Sequence, residues 1–276
     1  MPHEAIGTSC CIAGGGPAGM MLGFLLARAG VDVIVLEKHA DFFRDFRGDT
    51  IHPSTLEVMH ELGILEAFLA LPHQQVTQLH GEIYGLPVTL ADFTRLSTYC
   101  KFLVFMPQWD FLDFLARQAG AFPHFSLRRR APVAGLIEEE GVIRGVRVNT
   151  PQGELEIRAD LVVGADGRHS VVREAAELTA EAQGAPIDVL WFHLPRAGTD
   201  PEATGGYIAP GALLVTINRR DYWQCGFVIP KGDFAAIEAA GLPAFRRRIS
   251  ALAPFLAKST ATIGAWDDVK LLSVQI

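Results

Sequence analysis

The segment Gly14-Gly15-Gly16-Pro17-Ala18-Gly19 constrains the fold of this chain more than any other. An apolar run, Ser9 to Ala13, leads into it, and Met20 to Ala29 follows with the composition of a helix that Gly30 stops. Val31 to Leu36 is then a β-branched strand ending at Glu37. Strand, turn, helix and strand fit within roughly 30 residues, the length of one β-α-β unit. In Gly14-x-Gly16-x-x-Gly19 the first glycine permits a tight turn and the second lets the backbone approach a pyrophosphate. The third lets the helix pack close on the strand. Backbone N–H groups and the positive end of the helix dipole favour an anion at that point. Glu37 follows Gly19 by 18 residues, placed to accept hydrogen bonds from an adenosine ribose. A carboxylate there disfavours a 2′-phosphate, so the pocket suits FAD or NAD better than NADP. Pro17, Ala18 and Lys38 belong to the same expected cofactor site.

Beyond Glu37 a loop rich in Asp, Arg and Phe runs to Pro53, and Ser54-Thr55-Leu56-Glu57 has the spacing of a capping box opening a helix towards Leu71. Short strands broken by Gly81, Gly85 and Pro87 occupy the stretch to Cys100, and a helix follows Pro107. Val133 to Ile137, Val142 to Asn149 and Leu155 to Arg158 read as an antiparallel meander, and Leu161 to Gly164 as a separate, buried parallel strand. Strands are expected again over Val189 to Leu194, Leu213 to Asn218 and Tyr222 to Ile229, with helices near Phe234 to Ala240 and Pro243 to Leu256. The pattern predicts an α/β protein: a Rossmann-like, three-layer ββα domain built from residues 1–71 and 101–182. It is interleaved with an antiparallel-sheet domain built from 72–100 and 183–276.

The choice of dinucleotide comes from a second motif. Leu161-Val162-Val163-Gly164-Ala165-Asp166-Gly167-Arg168-His169-Ser170-Val171-Val172-Arg173 is a hydrophobic strand, a sharp Asp-Gly turn and the start of a helix. With the first motif it resembles the single-component flavin monooxygenases of the para-hydroxybenzoate hydroxylase type, over nearly the whole chain. The resemblance implies FAD on the Gly14–Gly19 fingerprint and Glu37, with Asp166 near the pyrophosphate. It further implies that Arg47 (with Arg44 as a weaker candidate) reaches the flavin from the loop before Pro53, and that Gln108 of Met106-Pro107-Gln108-Trp109-Asp110 touches the cofactor. By the same resemblance NAD(P)H reduces the flavin, O2 adds to give a flavin C4a-hydroperoxide, and one oxygen goes to an electron-rich aromatic small molecule. The aromatic and polar candidates for the substrate wall are Trp191, His193, Tyr207 and Trp223. The family's third signature, a Gly-Asp turn after a late strand, is not found, so the chain is expected to be a C-terminally shortened member.

Two alternatives stay open at this level. One is another flavoenzyme on the same scaffold, a halogenase or a reductase; Tyr222 to Pro230 is faintly similar to a halogenase stretch, with Cys225 in place of its second tryptophan. The other is a non-catalytic FAD-binding remnant. The net charge of −7, from 24 basic and 31 acidic residues, argues against nucleic acid or an anionic membrane as partner. The runs Arg128-Arg129-Arg130 and Arg246-Arg247-Arg248 read as solvated faces. Cys10, Cys11, Cys100 and Cys225 show no metal-binding spacing and read as reduced, buried thiols. With no signal peptide and no apolar run of roughly 20 residues, a cytoplasmic protein is expected, with homodimerisation possible.

Overall fold

The computed structural model describes residues 5–43, 50–181 and 184–274. Its first elements are β1 (Ala5–Ala13), α1 (Pro17–Arg28), β2 (Val33–Glu37), β3 (Thr50–Ile51), α2 (Pro53–Glu61) and α3 (Leu65–Leu69). Next come β4 (Gln74–Val76), β5 (Gln78–Ile83), β6 (Leu86–Asp92), β7 (Leu103–Phe105) and α4 (Gln108–Ala119). A β-rich stretch follows, with β8 (Phe125–Arg129), β9 (Val133–Glu139), β10 (Val142–Thr150) and β11 (Gly153–Gly164), then α5 (Val171–Ala175). The remainder is β12 (Ile187–Pro195), β13 (Gly205–Ala209), β14 (Ala212–Asn218), β15 (Tyr222–Pro230), α6 (Phe234–Ala240), α7 (Leu242–Leu252) and β16 (Lys270–Ser273).

The chain divides into two units. The first comprises Met1–Thr50, Glu66–Pro72 and Met106–Glu181; the second comprises Ile51–Leu65, His73–Phe105 and Ala182–Ile276. Compared with the division expected from sequence, residues 51–65 and 101–105 fall in the second unit. The reason is visible in local bonds. Glu57 on α2 accepts a hydrogen bond from Tyr99 N at 2.6 Å, the His60 ring stacks on Tyr99 at 3.7 Å, and β7 pairs antiparallel with β4. Glu57 is therefore spent on Tyr99. The expected capping box is absent: α2 begins at Pro53 behind His52, with no side-chain cap.

The first unit carries a six-stranded sheet in the order β8-β2-β1-β11-β10-β9. The β8, β2, β1 and β11 strands are parallel, and β11, β10 and β9 form the antiparallel meander. The meander's third strand and the buried parallel strand, separate in the sequence reading, are one continuous strand of 12 residues. Its first half pairs with β10, and its stretch from Glu156 to Gly164 pairs with β1. Alternation along β1 and β2 builds the layers. Cys11, Ile34 and Leu36 meet Val146, Val148, Leu155 and Ile157 of the meander side. Val35 and Ile12 turn the other way, towards α1, where Gly23 and Gly19 let the helix settle on them. A Cβ on Gly23 would lie 2.6 Å from Val35 Cγ2, so the close helix–sheet contact depends on its absence.

The second unit carries a seven-stranded sheet ordered β16-β12-β15-β14-β13-β5-β6, antiparallel except for the parallel pair β13 and β5. The strand β13 contains two glycines and was not legible as a strand. One face of this sheet is the core: Leu190, Phe192 and Leu194 of β12 and Trp223, Cys225 and Phe227 of β15 pack with Phe245 and Ile249 of α7. The Arg246-Arg247-Arg248 run is partly absorbed here. Arg246 Nε donates to Ile263 O at 3.1 Å, and the Arg248 guanidinium lies 4.9 Å from the Phe227 ring centroid. Among the described residues no helix is long and apolar enough to cross a membrane.

Candidate functional site

A cleft of about 280 Å³ in the first unit gathers most of the residues singled out from the sequence. Gly14, Gly16, Pro17, Glu37, Lys38, Gln108 and Asp166 all line it. Gly19 and Ala18 do not; Gly19 is buried beneath the turn and Ala18 faces solvent on α1. Arg47 and Arg44 lie outside the described residues.

Each glycine of the turn has a separate cause. Gly14 sits at φ +107°, and a Cβ there would be 2.3 Å from Ala165 O, so the turn and the Asp166-Gly167 segment touch backbone to backbone. Ala165 N donates to Ala13 O at 2.7 Å, which joins the two motifs directly. Gly19 permits the helix to close on the turn, since its Cβ would lie 2.0 Å from Gly14 O. Around a Cβ on Gly16, by contrast, there is nothing within 4 Å. Nothing in the protein requires a glycine there, which leaves that space to a ligand at the N-terminus of α1. Gly16 is the N-cap of that helix, with no side-chain cap, so the helix offers unshielded N–H groups to an anion.

Glu37 is buried, its Oε2 accepting from Gly15 N at 3.2 Å and its Oε1 from His39 N at 2.9 Å. These bonds fix the carboxylate beside the turn. In the core of the same sheet, burial pushes the Cys11 thiol of β1 up to about 12, with the neighbouring Cys10 adding to the effect. It is a packing residue, not a thiolate.

The sequence reading missed His39, Phe42, Ala131, Val133 and His169, which also line the cleft. Ala131 arrives because its N–H donates to Glu37 O at 3.0 Å, a contact across 94 residues that no local pattern announces. Phe42 is held under the Arg129 guanidinium, 4.6 Å from its ring centroid, while Arg129 also pairs with Asp113 at 3.1 Å. Arg129 of that run thus makes intramolecular contacts at the edge of the cleft while staying exposed, as is Arg130.

The four substrate candidates separate. Trp191 and His193 lie on the face of β12 opposite its buried Leu190, Phe192 and Leu194. Trp191 covers Gly226, whose Cβ would be 3.2 Å from Trp191 Cη2, and His193 meets Tyr222 edge-on at 4.8 Å. Tyr207 and Trp223 point into the α7 core instead. Trp223 is fully buried, with its indole N–H on Asp200 Oδ2 at 2.9 Å, and Tyr207 packs 5.8 Å from Phe255. The two-residue period of the strands causes this split, and membership of a strand alone does not reveal it.

Fold and cleft together define a protein of the ββα dinucleotide-binding type, with a buried glutamate beside the glycine turn. The flavin family's FAD binding domain matches residues 7–206, and the chain belongs to that family. It is similar to 6-methylpretetramide 4-monooxygenase of Streptomyces rimosus, with 31% identity over 99% of this chain and 66% of that protein. It is also similar to rifampicin monooxygenase of Streptomyces venezuelae, with 32% identity over 70% of this chain and 39% of that protein. The chain therefore spans less than two thirds of the length of these relatives. Among solved structures, PqsL of P. aeruginosa in complex with 2-aminobenzoylacetate shares the fold, with a TM-score of 0.79 and 21% identity over 98% of this chain and 74% of that one.

The described residues fit FAD. The open space at Gly16, the uncapped α1 N-terminus and the fixed Glu37 carboxylate suit a diphosphate and an adenosine ribose in turn.

Proposed function

We propose that this chain is the cofactor- and substrate-binding part of an NAD(P)H-dependent aromatic monooxygenase. The reaction would be aromatic substrate, O2, NAD(P)H and a proton giving hydroxylated product, water and NAD(P)+. The observation that carries the reading is the junction of the Gly14 turn, Glu37 and the Asp166-Gly167 turn in one cleft, in a chain 31% identical over almost its full length to a 6-methylpretetramide 4-monooxygenase.

Bound FAD supplies electron transfer from the nicotinamide and activation of oxygen. The protein's part is to bind and orient it. The α1 N-terminus holds the diphosphate, Glu37 the ribose, and Lys38 stands beside Glu37 at the anionic end of the cleft. Gln108, at the start of α4, and Arg47 are assigned to the flavin itself. Trp191 and His193 are assigned to the aromatic substrate, Trp191 by its ring face and His193 by an imidazole able to hydrogen-bond a substrate oxygen. The buried thiols support a reducing, cytoplasmic setting.

The test uses the gene product that carries this sequence, loaded with FAD. NAD(P)H oxidation should accelerate when phenols, from resorcinol to polycyclic phenols, are added, with equal O2 uptake and a product 16 Da heavier. FAD binding without any phenol-dependent oxygen incorporation would leave a flavoprotein of another kind and refute the monooxygenase reading.

A further inference from the structure

The seven-stranded sheet has two faces, and α7 packs on one of them. On the other, strand register sets Trp191, Gly226, Val215 and Gly206 in one row across β12, β15, β14 and β13. Their chain neighbours Leu190, Phe192, Phe227, Leu214 and Tyr207 point into the α7 core, so these four face away from it. A tryptophan beside a glycine makes the row uneven in size, yet it is level in space.

Trp191 leans from β12 across β15. A Cβ on Gly226 would meet the indole Cη2 and Cζ3 at 3.2 Å each and Cε3 at 3.4 Å. Three consecutive ring atoms at nearly one distance mean that the ring lies face-down on the strand. A ring standing on edge would bring one or two atoms close and leave the next far away. From the opposite side Leu90, the extra residue of a bulge in β6, covers Gly206, its Cδ1 3.0 Å from where a Cβ would stand. Val215, half-buried, fills the interval. Large side chains laid over glycines, with a smaller one between them, form a flat apolar shelf. It runs from β15 to β13, two strand spacings or about 10 Å. That is wider than a single benzene ring.

We propose that Gly226 is a positioning residue for the aromatic substrate. Having no side chain, it lets Trp191 lie down, and the shelf so formed selects planar fused-ring phenols over single-ring ones. The proposal rests on the monooxygenase reading and on its assignment of Trp191 to the substrate. An aromatic face attracts a second ring by offset stacking, and a longer ring system gains more of that contact. A side chain on Gly226 lifts the indole and puts a step into the shelf. A fused-ring system then no longer lies flat, while a single ring still finds room beside the step.

The test compares resorcinol with naphthoresorcinol, the same diol on one ring and on two fused rings, using the FAD-loaded gene product and diol-dependent O2 uptake. Wild-type kcat/KM should favour naphthoresorcinol about tenfold, the discrimination an apolar site draws from added contact. Gly226→Ala obliges the ring to rise slightly and should raise KM for naphthoresorcinol about threefold; Gly226→Val should raise it about tenfold. KM for resorcinol and kcat for both diols should stay within about twofold. Trp191→Phe supplies the control, because phenylalanine lacks the outer indole ring that lies on Gly226. In that background Gly226→Ala should change nothing, whereas a merely structural glycine would cost the same in both backgrounds. Equal losses in the two backgrounds, unchanged KM in Gly226→Ala, or equal losses for the two diols refute the inference; Gly226→Ala decides alone if Gly226→Val takes up no FAD. A wild-type enzyme whose kcat/KM for naphthoresorcinol does not exceed that for resorcinol refutes it as well, and leaves the monooxygenase reading standing. A wild type that incorporates oxygen into no phenol at all refutes that reading, and this inference with it.

Discussion

Gly16 and Gly19 belong to one motif, yet substituting them should fail in opposite ways. A Cβ on Gly19 would lie 2.0 Å from Gly14 O, a backbone atom that cannot step aside cheaply. Gly19→Ala therefore overpacks the turn, at about 1–3 kcal/mol or more. In a chain of this size that lowers Tm by roughly 2–4 °C for each kcal/mol. Gly16 is different. Its φ is −72° and a Cβ there meets nothing within 4 Å, so Gly16→Val costs the apo protein only a poorer N-cap, about 1 kcal/mol or less. With FAD the position reverses, since the added side chain stands where the diphosphate meets the helix N-terminus. Losing two charge-assisted hydrogen bonds at about 1.5–3 kcal/mol each removes roughly 3–6 kcal/mol. That corresponds to a loss of roughly 10²–10⁴ in affinity. Thermal melts followed by circular dichroism give the apo stabilities, and flavin fluorescence titration gives the affinities. Gly16→Val should melt near the wild type and bind FAD poorly, while Gly19→Ala should melt well below it. Wild-type affinity in Gly16→Val would remove the diphosphate from this turn. A Tm loss in Gly16→Val equal to that in Gly19→Ala would show that the space around Gly16 is not open.

Three further outcomes follow from the same geometry. Glu37→Ala should weaken FAD by at least tenfold, since one charge-assisted bond to the ribose is worth about 1.5–3 kcal/mol; an unchanged dissociation constant would take the ribose away from Glu37. Asp188 accepts hydrogen bonds from Gly232 N, Lys231 Nζ and Val274 N, and those bonds, that from Gly232 first, hold its carboxyl below the usual carboxylate range. A depressed folded-state value stabilises the protein above the unfolded value of about 3.9. The Tm gap between wild type and Asp188→Asn should thus be full at neutral pH and close as pH falls through the lower folded value; a gap that widens in acid contradicts this. All four cysteines are buried, and burial raises the pKa of each, Cys11 to about 12. Ellman's reagent at pH 8 should find no reactive thiol in the native protein and four in denaturant; two or more reacting natively would contradict the burial.

Much of the lining of the candidate cleft was legible because its signals are local. The Gly14–Gly19 turn, the position of Glu37 and the Asp166-Gly167 turn each follow from strand, turn and helix geometry over a few residues, where spacing along the chain maps directly onto spacing in space. Local signals could also mislead. Ser54 and Glu57 have capping-box spacing, but Tyr99, 42 residues on, claims the glutamate. Other facts depend on contacts between distant segments, which no period of 2 or 3.6 encodes. Gly14 and Ala165 meet backbone to backbone because β1 and β11 pair in parallel register. Ala131 reaches the cleft only because Glu37 accepts its N–H. The face of a strand is equally a tertiary matter. Trp191 and Trp223 are both aromatic and both sit on strands of one sheet, but packing of α7 on one side buries Trp223 completely and leaves Trp191 on the other. The identity of the cofactor was written in residues close in sequence. Which side chains line the candidate cleft, and which merely hold the fold, was decided by the pairing of strands and the packing of helices upon them.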